Sequence, residues 1–308
     1  MSRLLGVSSF LLLAVLWGLS FPAIAVGLGY LPPLLFAAIR YDVAAVLLLG
    51  YAVVRVDEWV PRGRHNLSAI AGGGLFLVGG NGLLFVGQQT VPSGVASIIQ
   101  ARVPIFTALW ALLLLGERLS AIGAVGVAIA FLGTGFVVQP DPTTLLGGDT
   151  GPRLLIVCQA LCVALGGVLV QRAGPTIPRL PLTGWSMLVG ALVLHTVSFG
   201  VGETLPSDWL APTAVATVLY LGVFSTAIAF LIYFAILEDH GAFEAALVAY
   251  LVPLVATTVG VVGLGESISS LTIVGFGLVA IGFALLKRRA IAAAVGSRRP
   301  VDGPESDF

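Results

Sequence analysis

The chain has 308 residues, of which 58% are hydrophobic and only 10% are charged, and its mean hydropathy is +1.05. Soluble globular domains carry about 25% charged residues, so the composition excludes an ordinary soluble enzyme or binding domain. The formal net charge of zero says little by itself, because in a membrane protein the distribution of charge along the chain carries the information.

Ten apolar segments are long enough to cross the hydrocarbon of a bilayer, which takes about 20 helical residues. They are Gly6–Leu28, Pro33–Val54, Leu67–Val86, Ser93–Leu115, Ala121–Val138, Arg153–Gln171, Leu182–Val201, Pro212–Leu237, Ala242–Leu264 and Ser270–Leu286. The first segment resembles a secretory signal, with Ala23-Ile24-Ala25 as its cleavage site, but its apolar run is long for a signal and we expect it to be retained. The sequence therefore predicts an all-α polytopic membrane protein with ten transmembrane helices.

The second half of the chain repeats the layout of the first half at a constant offset of 149 positions. Pro104, Glu117, Gly126 and Gly133 recur as Pro253, Glu266, Gly275 and Gly282. We therefore divide the chain into a five-helix repeat (1–138), an external linker (139–152), a second five-helix repeat (153–287) and a cytoplasmic tail (288–308) that we expect to be disordered. Five is odd, so the second repeat enters the membrane inverted. Inverted repeats around a midplane site are a hallmark of secondary transporters.

The basic residues predict the orientation. With the N-terminus inside, twelve of the fifteen Lys and Arg residues face the cytoplasm and Arg153 alone lies outside. The twelve are Arg3, Arg55, Arg62, Arg64, Arg118, Arg172, Arg179, Lys287, Arg288, Arg289, Arg298 and Arg299. The external connections carry acidic residues: Asp141, Asp149, Glu203, Asp208 and Glu266. This asymmetry predicts a multi-pass protein of the cytoplasmic membrane with both termini in the cytoplasm.

Several short motifs stand in a fixed order along the chain. They are Leu16-Trp17-Gly18-Leu19-Ser20-Phe21-Pro22, then Arg40, then Val103-Pro104 through Leu115-Gly116-Glu117-Arg118, the span with Gly126 and Gly133, and finally Val252-Pro253 with Gly265-Glu266. In this order the chain resembles the drug/metabolite transporter superfamily, specifically its ten-helix members with two EamA-type domains. The resemblance extends to about Leu286 and implies a ten-helix inverted-repeat bundle that exports or exchanges small metabolites such as amino acids. Arg102 departs from the family pattern, which usually has an apolar or small residue there.

Four ionisable residues lie within predicted spans: Arg40, Asp42, Arg102 and Glu244. Each costs about 2.5–3.5 kcal/mol on membrane-insertion scales, so such residues are functional candidates. At a helical rise of about 1.5 Å per residue, Asp42 lies about 13 Å and Arg102 about 14 Å from the outer end of its span. Both are near the midplane, so we expect an Arg102–Asp42 contact, with Asp42 as an ion-pair partner or, alternatively, a proton-coupling carboxylate. Glu244 lies in the first turn of its span, where the helix dipole favours a negative charge.

The candidate substrate site combines charge, helix breaks and polar lining. Arg40 and Arg102 offer paired donors for a carboxylate or phosphate, and the structural alternative is an ion pair or bonds to helix carbonyls. Pro22, Pro104 and Pro253 are predicted to break helices in mid-span and so free carbonyls to line a cavity. The other candidates for this lining are Trp17, Ser20, Asn81, Gln100, Tyr233 and Tyr250. For the polar members the structural alternative is a satisfied interhelical hydrogen bond.

Other ionisable residues are assigned structural roles. Glu117 and Glu266 each follow a glycine at the end of a span and are predicted to satisfy the N-terminal donors of the next helix. His195 is predicted to be a core histidine, with a proton relay as the alternative, and Glu238-Asp239-His240 is predicted to be a short loop between two spans. The glycines at 72–74 and 79–80 are predicted to let helices approach closely.

The sequence thus predicts a secondary transporter that exports a small polar metabolite, an amino acid or a related carboxylate, by alternating access. We expect no cofactor, no metal and no nucleic-acid partner. The expected partners are the substrate and the lipid bilayer, and the oligomeric state is left open. Two alternatives are an intramembrane lipid-modifying enzyme, which would need a reactive cluster at one membrane face, and a scaffold without access to its centre.

Overall fold

The computed structural model describes residues 3–116, 120–138, 150–286 and 288, and this part of the chain contains helices and no strand. The α-helices are α1 (Arg3–Gly18), α2 (Ser20–Gly27), α3 (Pro33–Arg55), α4 (Gly63–Gly72), α5 (Gly82–Gly87), α6 (Ser93–Gln100), α7 (Val103–Leu114), α8 (Ala121–Val138), α9 (Thr150–Ala173), α10 (Arg179–Gly200), α11 (Pro212–Leu219), α12 (Ala229–Leu264) and α13 (Ser270–Leu286). Two π-helices, π1 (Gly73–Val78) and π2 (Tyr220–Ile228), and a 3₁₀ turn (Gly79–Asn81) connect some of them.

Seven helical stretches in the described residues are long and apolar enough to cross a membrane, and three shorter apolar helices accompany them. The seven are Ser8–Gly27, Pro33–Arg55, Gly63–Gly87, Ser93–Leu114, Thr150–Ala173, Arg179–Gly200 and Pro212–Tyr233. The shorter ones are Ala121–Gly133, Leu251–Leu264 and Ser270–Leu285. Every predicted span therefore contains an apolar helix, and the all-α polytopic fold is confirmed.

The loop predicted at Glu238-Asp239-His240 is wrong, because these residues are helical and belong to α12. The eighth and ninth predicted spans therefore both lie within the helical residues of α12, and no separate loop divides them in the described backbone. The side chains of residues 234–247 lie outside the part that the structure describes, and these include Glu238, Asp239, His240 and Glu244.

Two parts of helix α12 that are far apart in sequence nevertheless contact the same end of α1. The ring of Trp17 lies 5.9 Å from the ring of Phe230, while a methyl group added to Gly18 would stand 2.5 Å from the Cβ of Val255. In a straight helix, residues 230 and 255 would be about 38 Å apart, far more than two adjacent residues of α1 can span. The helix therefore folds back between Phe230 and Val255, as the ten-span topology requires.

The 149-residue offset of the sequence also relates the two π-helices. Gly73 in π1 corresponds to Gly222 in π2, and each allows a close approach to the second span of the other repeat. A methyl group on Gly73 would stand 2.7 Å from the Ser186 hydroxyl of α10, and one on Gly222 would stand 2.6 Å from Val43 of α3. The corresponding spans α3 and α10 also pack on each other, as do α8 and α13. The two repeats are thus interlocked, because helices of each repeat pack between helices of the other, and they share one large apolar core.

The three prolines have different effects on their helices. Pro104 is the second residue of α7, directly after the break that separates α6 from α7. Pro22 lies inside α2, and the interruption comes earlier, at Leu19. Pro253 lies inside α12, which continues through it, so the predicted break at Pro253 is wrong.

The two copies differ at the residue that precedes the break. Arg102 bonds its backbone amide to the Ile99 carbonyl, three residues back, and its guanidinium Nη1 to the Ile98 carbonyl at 3.3 Å. These bonds take up carbonyls that a regular helix would use and tighten the turn. Leu251 occupies the matching position in the second copy and has no side-chain donor.

Candidate substrate site

Arg40 lies near the middle of α3 and is 7% exposed. Its Nε donates a hydrogen bond of 2.9 Å to the Thr226 hydroxyl of π2. Its guanidinium lies over the ring of Tyr41, 4.9 Å from the centroid, and 5.8 Å from that of Phe85. Among the described residues no carboxylate pairs with Arg40. Its charge is therefore held in place by a hydroxyl and by aromatic faces, with no compensating carboxylate among the described side chains.

The π-helical geometry explains how Thr226 can hold Arg40. The Thr226 hydroxyl donates 2.7 Å to the carbonyl of Leu221, five residues back. This bond lies within π2, where the ladder of hydrogen bonds is widened, and it orients the hydroxyl oxygen so that it can accept from Arg40. Thr226 is fully buried. Sequence reasoning missed it, because a lone threonine in an apolar run carries no signal before its neighbour across the bundle is known.

Three aromatic rings cluster beside the interruption between α1 and α2. Trp17 lies 5.5 Å from Tyr233 and 5.9 Å from Phe230, and these two rings are 6.4 Å apart. We call Trp17, Phe230 and Tyr233 the aromatic triad. The predicted site residues Trp17 and Tyr233 are thus brought together, and Phe230 joins them without having been predicted.

The helix segment π2 connects the aromatic triad to Arg40. Tyr220, its first residue, donates 2.8 Å to the carbonyl of Leu16 in α1. Thr226 of the same segment holds Arg40. At the break itself, the Ser20 hydroxyl donates 2.6 Å to the carbonyl of Trp17. Arg40, Trp17, Ser20 and Tyr233 therefore belong to one neighbourhood organised by π2.

Arg102 lies in a different place. It is 1% exposed, and beyond the bond of Nη1 to Ile98 its Nε and Nη2 have no hydrogen-bond partner among the described residues. It lines a small crevice together with Ile105, Phe106, Ala130 and Phe131, which belong to α7 and α8. These neighbours do not overlap with those of Arg40, so the two arginines do not share one binding position in this conformation.

The expected Arg102–Asp42 contact is wrong. Asp42 accepts a hydrogen bond of 2.7 Å from, or shares a proton with, Nε2 of His195. The reason is topological, because α3 packs on α10, whereas Arg102 points to the crevice beside α8. His195 is correspondingly half-buried at a helix seam and does not lie in the core as predicted.

Of the two amide candidates, Asn81 makes the interhelical hydrogen bond that was the structural alternative, and Gln100 makes none with the residues described. Asn81 donates 2.8 Å to the carbonyl of Leu77 and accepts 2.9 Å from Gln159 of α9, which sequence reasoning missed. The Oε1 of Gln100 is buried without a partner at the end of α6. The side chain of Tyr250 lies outside the described residues, as does Glu117.

Glu266 caps a helix, but it caps a different one from the one predicted. Its carboxylate accepts from the backbone amides of Ser93 at 2.9 Å and Gly94 at 3.4 Å, at the start of α6. The predicted partner was the next helix, α13. The positive end of α6 lies beside the turn at Glu266 only because the two repeats interlock.

Glu203 does the same for a second helix. It accepts from the amides of Leu34 at 3.1 Å and Leu35 at 2.7 Å, in the first turn of α3, and from the Ser198 hydroxyl at 2.7 Å. Glu203, Glu266 and the exposed Asp208 mark one end of the bundle, which we call the acidic end.

Comparison with known proteins identifies the kind of protein that has this architecture. The model of the EamA-like transporter family matches residues 4–139 and again 152–288. A solved structure matches 95% of this chain and 99% of its own with a TM-score of 0.64 and 21% identity, which shows a shared fold.

Two curated relatives cover most of the chain. The uncharacterized inner membrane transporter YedA of Escherichia coli K12 is 30% identical over 281 residues, covering 89% of this chain and 88% of YedA. A probable amino-acid metabolite efflux pump of Salmonella typhimurium LT2 is 26% identical over 281 residues, covering 88% of this chain and 91% of the pump.

Proposed function

Because the chain belongs to the EamA-like transporter family, we propose that it exports a small carboxylate, an amino acid or a closely related metabolite, across the cytoplasmic membrane by alternating access. The twelve basic residues on one side of the spans support an orientation with both termini in the cytoplasm, which places the acidic end outside. A relative described as a probable amino-acid metabolite efflux pump supports both the direction and the substrate class.

The observation that carries this proposal is the charge of Arg40, which has no carboxylate partner among the described residues and is linked to the aromatic triad through π2. Arg40 is 7% exposed and is held by Thr226 without a carboxylate partner in the described part of the chain. A buried charge of this kind is stabilised by an anionic ligand, and a guanidinium offers a carboxylate paired donors. The rings of the aromatic triad suit the other end of an amino acid, either its ammonium group or an apolar side chain.

We assign Arg102 a second, selective role in this transport. Its Nε and Nη2 are buried donors that find no partner in the described part of the chain, and they lie in a crevice beside the break between α6 and α7. Interrupted membrane helices commonly mark transport sites, and an arginine there disfavours cationic substrates. Arg102 therefore acts on the anionic group of the substrate at a position separate from Arg40.

The interlocked repeats support alternating access. Each π-helix packs on the second span of the opposite repeat, and breaks divide the first and fourth spans near the site. Such irregular segments can change their backbone conformation at lower cost than a regular helix. One repeat can thus move against the other around the neighbourhood of Arg40 and the aromatic triad.

The test measures export from cells that lack their native amino-acid exporters. Wild-type protein is expected to lower the internal accumulation of at least one amino acid or related carboxylate supplied as a peptide. Arg40→Ala is expected to reduce export at least about tenfold, the loss that corresponds to one charge-assisted contact of about 1.4 kcal/mol or more. Arg55→Ala, which removes an arginine at the exposed end of the same helix, is the matched control and should keep export.

Equal export by wild type, Arg40→Ala and Arg55→Ala for every substrate tried would remove Arg40 from the site. Arg40→Lys separates charge from geometry, because it keeps the positive charge but loses the paired donors. We expect it to recover part of the export. The protein level in the membrane is measured for each variant, so that loss of export is not confused with loss of protein.

We propose no enzymatic activity. The lipid-modifying alternative needs a reactive cluster at one face, and its only sequence candidate, Glu238-Asp239-His240, forms part of helix α12. The residues that the structure describes contain no group of three or more His, Cys, Asp or Glu side chains that could hold a metal ion. No observation therefore favours this alternative over transport.

A further inference from the structure

Asp42 and His195 form an acid–base pair across the two repeats. Oδ2 of Asp42 lies 2.7 Å from Nε2 of His195. Asp42 belongs to α3, the second span of the first repeat, and His195 to α10, the corresponding span of the second repeat. The position that matches Asp42 at an offset of 149 is Ala191, one helical turn before His195. The pair thus joins symmetry-related helices, but each helix contributes a different chemical group.

The pair lies at bilayer depth near the acidic end. Asp42 is about 13 Å along α3 from its first residue, and His195 is about 8 Å along α10 from its last residue, Gly200. The side chain of Asp42 is 40% exposed and that of His195 is 26% exposed. Their exposed neighbours are apolar except for Thr196, and Phe199 stacks 6.2 Å from the imidazole. The pair is therefore partly accessible at the edge of the interface between α3 and α10, which we call the seam.

His195 is the only described group that can neutralise Asp42. On α3, Arg40 faces Thr226 and Phe85, Tyr41 is buried on the core side, and Arg55 is at the far end. Among the elements packed on α3 and α10, π2 contributes Tyr220, which bonds to Leu16, and α4 contributes Arg64 and His65 at the far end. On α10 itself Arg179 begins the helix at that far end, and the described elements α5, α11 and π1 carry no titratable side chain. Glu203 at the acidic end is engaged with α3 and Ser198.

We propose that Asp42 and His195 together bind one proton taken from the acidic side, and that release of this proton loosens the seam between α3 and α10. With the proton bound, the imidazolium and the carboxylate sum to zero charge and attract each other strongly in a medium of low dielectric constant. Without it, one negative charge remains at bilayer depth, where only hydration can stabilise it. Water entry and separation of α3 from α10 at the acidic end are then favoured.

For transport, this means that the proton bound by Asp42 and His195 acts as the coupling ion. Proton release on the acidic side favours opening of that side, and proton binding favours its closure. Proton binding and the opening of the acidic end are therefore thermodynamically linked. No other reactant is needed, since the proton only moves between water and the pair. This inference extends the proposed function, but its test does not use the substrate.

The experiment measures access to a buried cysteine in the seam. Ala191 is fully buried on α10, one turn from His195, and is replaced by cysteine in a Cys158→Ala, Cys162→Ala background. Right-side-out and everted vesicles are treated with a membrane-impermeant maleimide between about pH 6 and about pH 9. Leu205→Cys, in the exposed connection at the acidic end, corrects for the pH dependence of the reagent itself.

The corrected labelling rate from the acidic side is expected to rise several-fold as the pH increases. Asp42→Asn and His195→Gln should each abolish this rise, because neither variant retains both titrating partners. The exchanged pair, Asp42→His with His195→Asp, should recover it, which a folding defect would not do. Thr196→Val, beside His195 and exposed, should leave the pH dependence unchanged.

Two results would overturn the proposal. One is a corrected rate that does not change with pH in the parent protein. The other is the same pH dependence in Asp42→Asn and His195→Gln as in the parent. Both results are distinct from a failure to export amino acids, since a transporter of another substrate could still show the proton-linked opening.

Discussion

Arg40 and Arg102 show how two buried arginines in one membrane protein can differ. Arg40 has a hydroxyl acceptor and two aromatic faces. Arg102 has one bond to a carbonyl at 3.3 Å and two donor atoms that no described residue satisfies. The packing around Arg102 is close, with 1% of the residue exposed. The charge of Arg102 therefore contributes little to the stability of the folded state. This is consistent with a functional role for Arg102 and with the apolar Leu251 at the matching position.

Arg102→Leu is expected to leave the thermal midpoint in detergent unchanged or to raise it. Replacing buried charges by well-packed apolar side chains is neutral or stabilising, by about 1–4 kcal/mol. Thr226→Val, in contrast, should lower the midpoint, because it removes the acceptor of the Arg40 Nε and leaves that donor buried. Thermal unfolding followed by tryptophan fluorescence measures both. A fall of the midpoint in Arg102→Leu as large as in Thr226→Val would mean that Arg102 is a structural residue.

At the scale of elements, glycines decide how closely the last helices of the two repeats approach. Gly133 of α8 faces the backbone carbonyl of Gly275, and Gly282 of α13 faces the carbonyl of Gly126. These are the glycines that the sequence repeat relates to each other, 126 with 275 and 133 with 282. The contact of Gly133 with Gly275 and the contact of Gly282 with Gly126 are therefore related by the repeat, as expected for a twofold-related pair of helices.

Gly282→Leu is expected to destabilise the protein by about 1–3 kcal/mol, the cost of overpacking a close contact. The added side chain has no room beside the Gly126 carbonyl and Ala130. Gly277→Leu is the control, because nothing lies within 4 Å of a methyl group at that position of the same helix. Both substitutions raise the helix propensity equally, so a difference in detergent thermal stability between them measures packing alone. Equal midpoints would contradict the close packing of α8 on α13.

At the scale of the whole molecule, carboxylates tie the repeats together at the acidic end. Glu203 and Glu266 both belong to the second repeat, and they cap α3 and α6 of the first repeat. The free amides of a helix N-terminus and its dipole both favour such a carboxylate. This end of the bundle is therefore closed by polar contacts between the repeats in the conformation observed.

Glu266→Ala is expected to cost about 0.5–2 kcal/mol, as the loss of an N-terminal cap does. It should also raise the rate of maleimide labelling at Ala191→Cys or another buried seam position from the acidic side, since one closing contact is lost. Asp208→Ala removes an exposed carboxylate from the same end and should change neither value. Hydrogen exchange of the Ser93 and Gly94 amides gives an independent measure. Unchanged exchange in Glu266→Ala would contradict the capping.

Much of this architecture is readable from the sequence because the bilayer imposes simple rules. Helices are required wherever apolar segments of about 20 residues occur, since backbone groups must pair within the segment. The 149-residue offset then predicts two repeats, and motif and depth single out Trp17, Ser20 and Arg40 as candidates for the site. The break before Pro104 follows from the missing amide hydrogen of proline.

Tertiary structure alone decides the partners, because they come from parts of the chain that sequence order does not bring together. Periodicity and depth predict that Asp42 and Arg102 lie at similar levels, but they say nothing about which helices are neighbours; the packing of α3 on α10 selects His195 for Asp42. Likewise, Thr226 meets Arg40 through a π-helix with no signal in the sequence, and Glu266 reaches α6 only because the repeats interlock. The sequence by itself determined the membrane fold, the duplication and the charged candidates, since these depend on local composition and spacing. The pairing of those charges was decided by the packing of the helices, which depends on contacts between residues far apart in the chain.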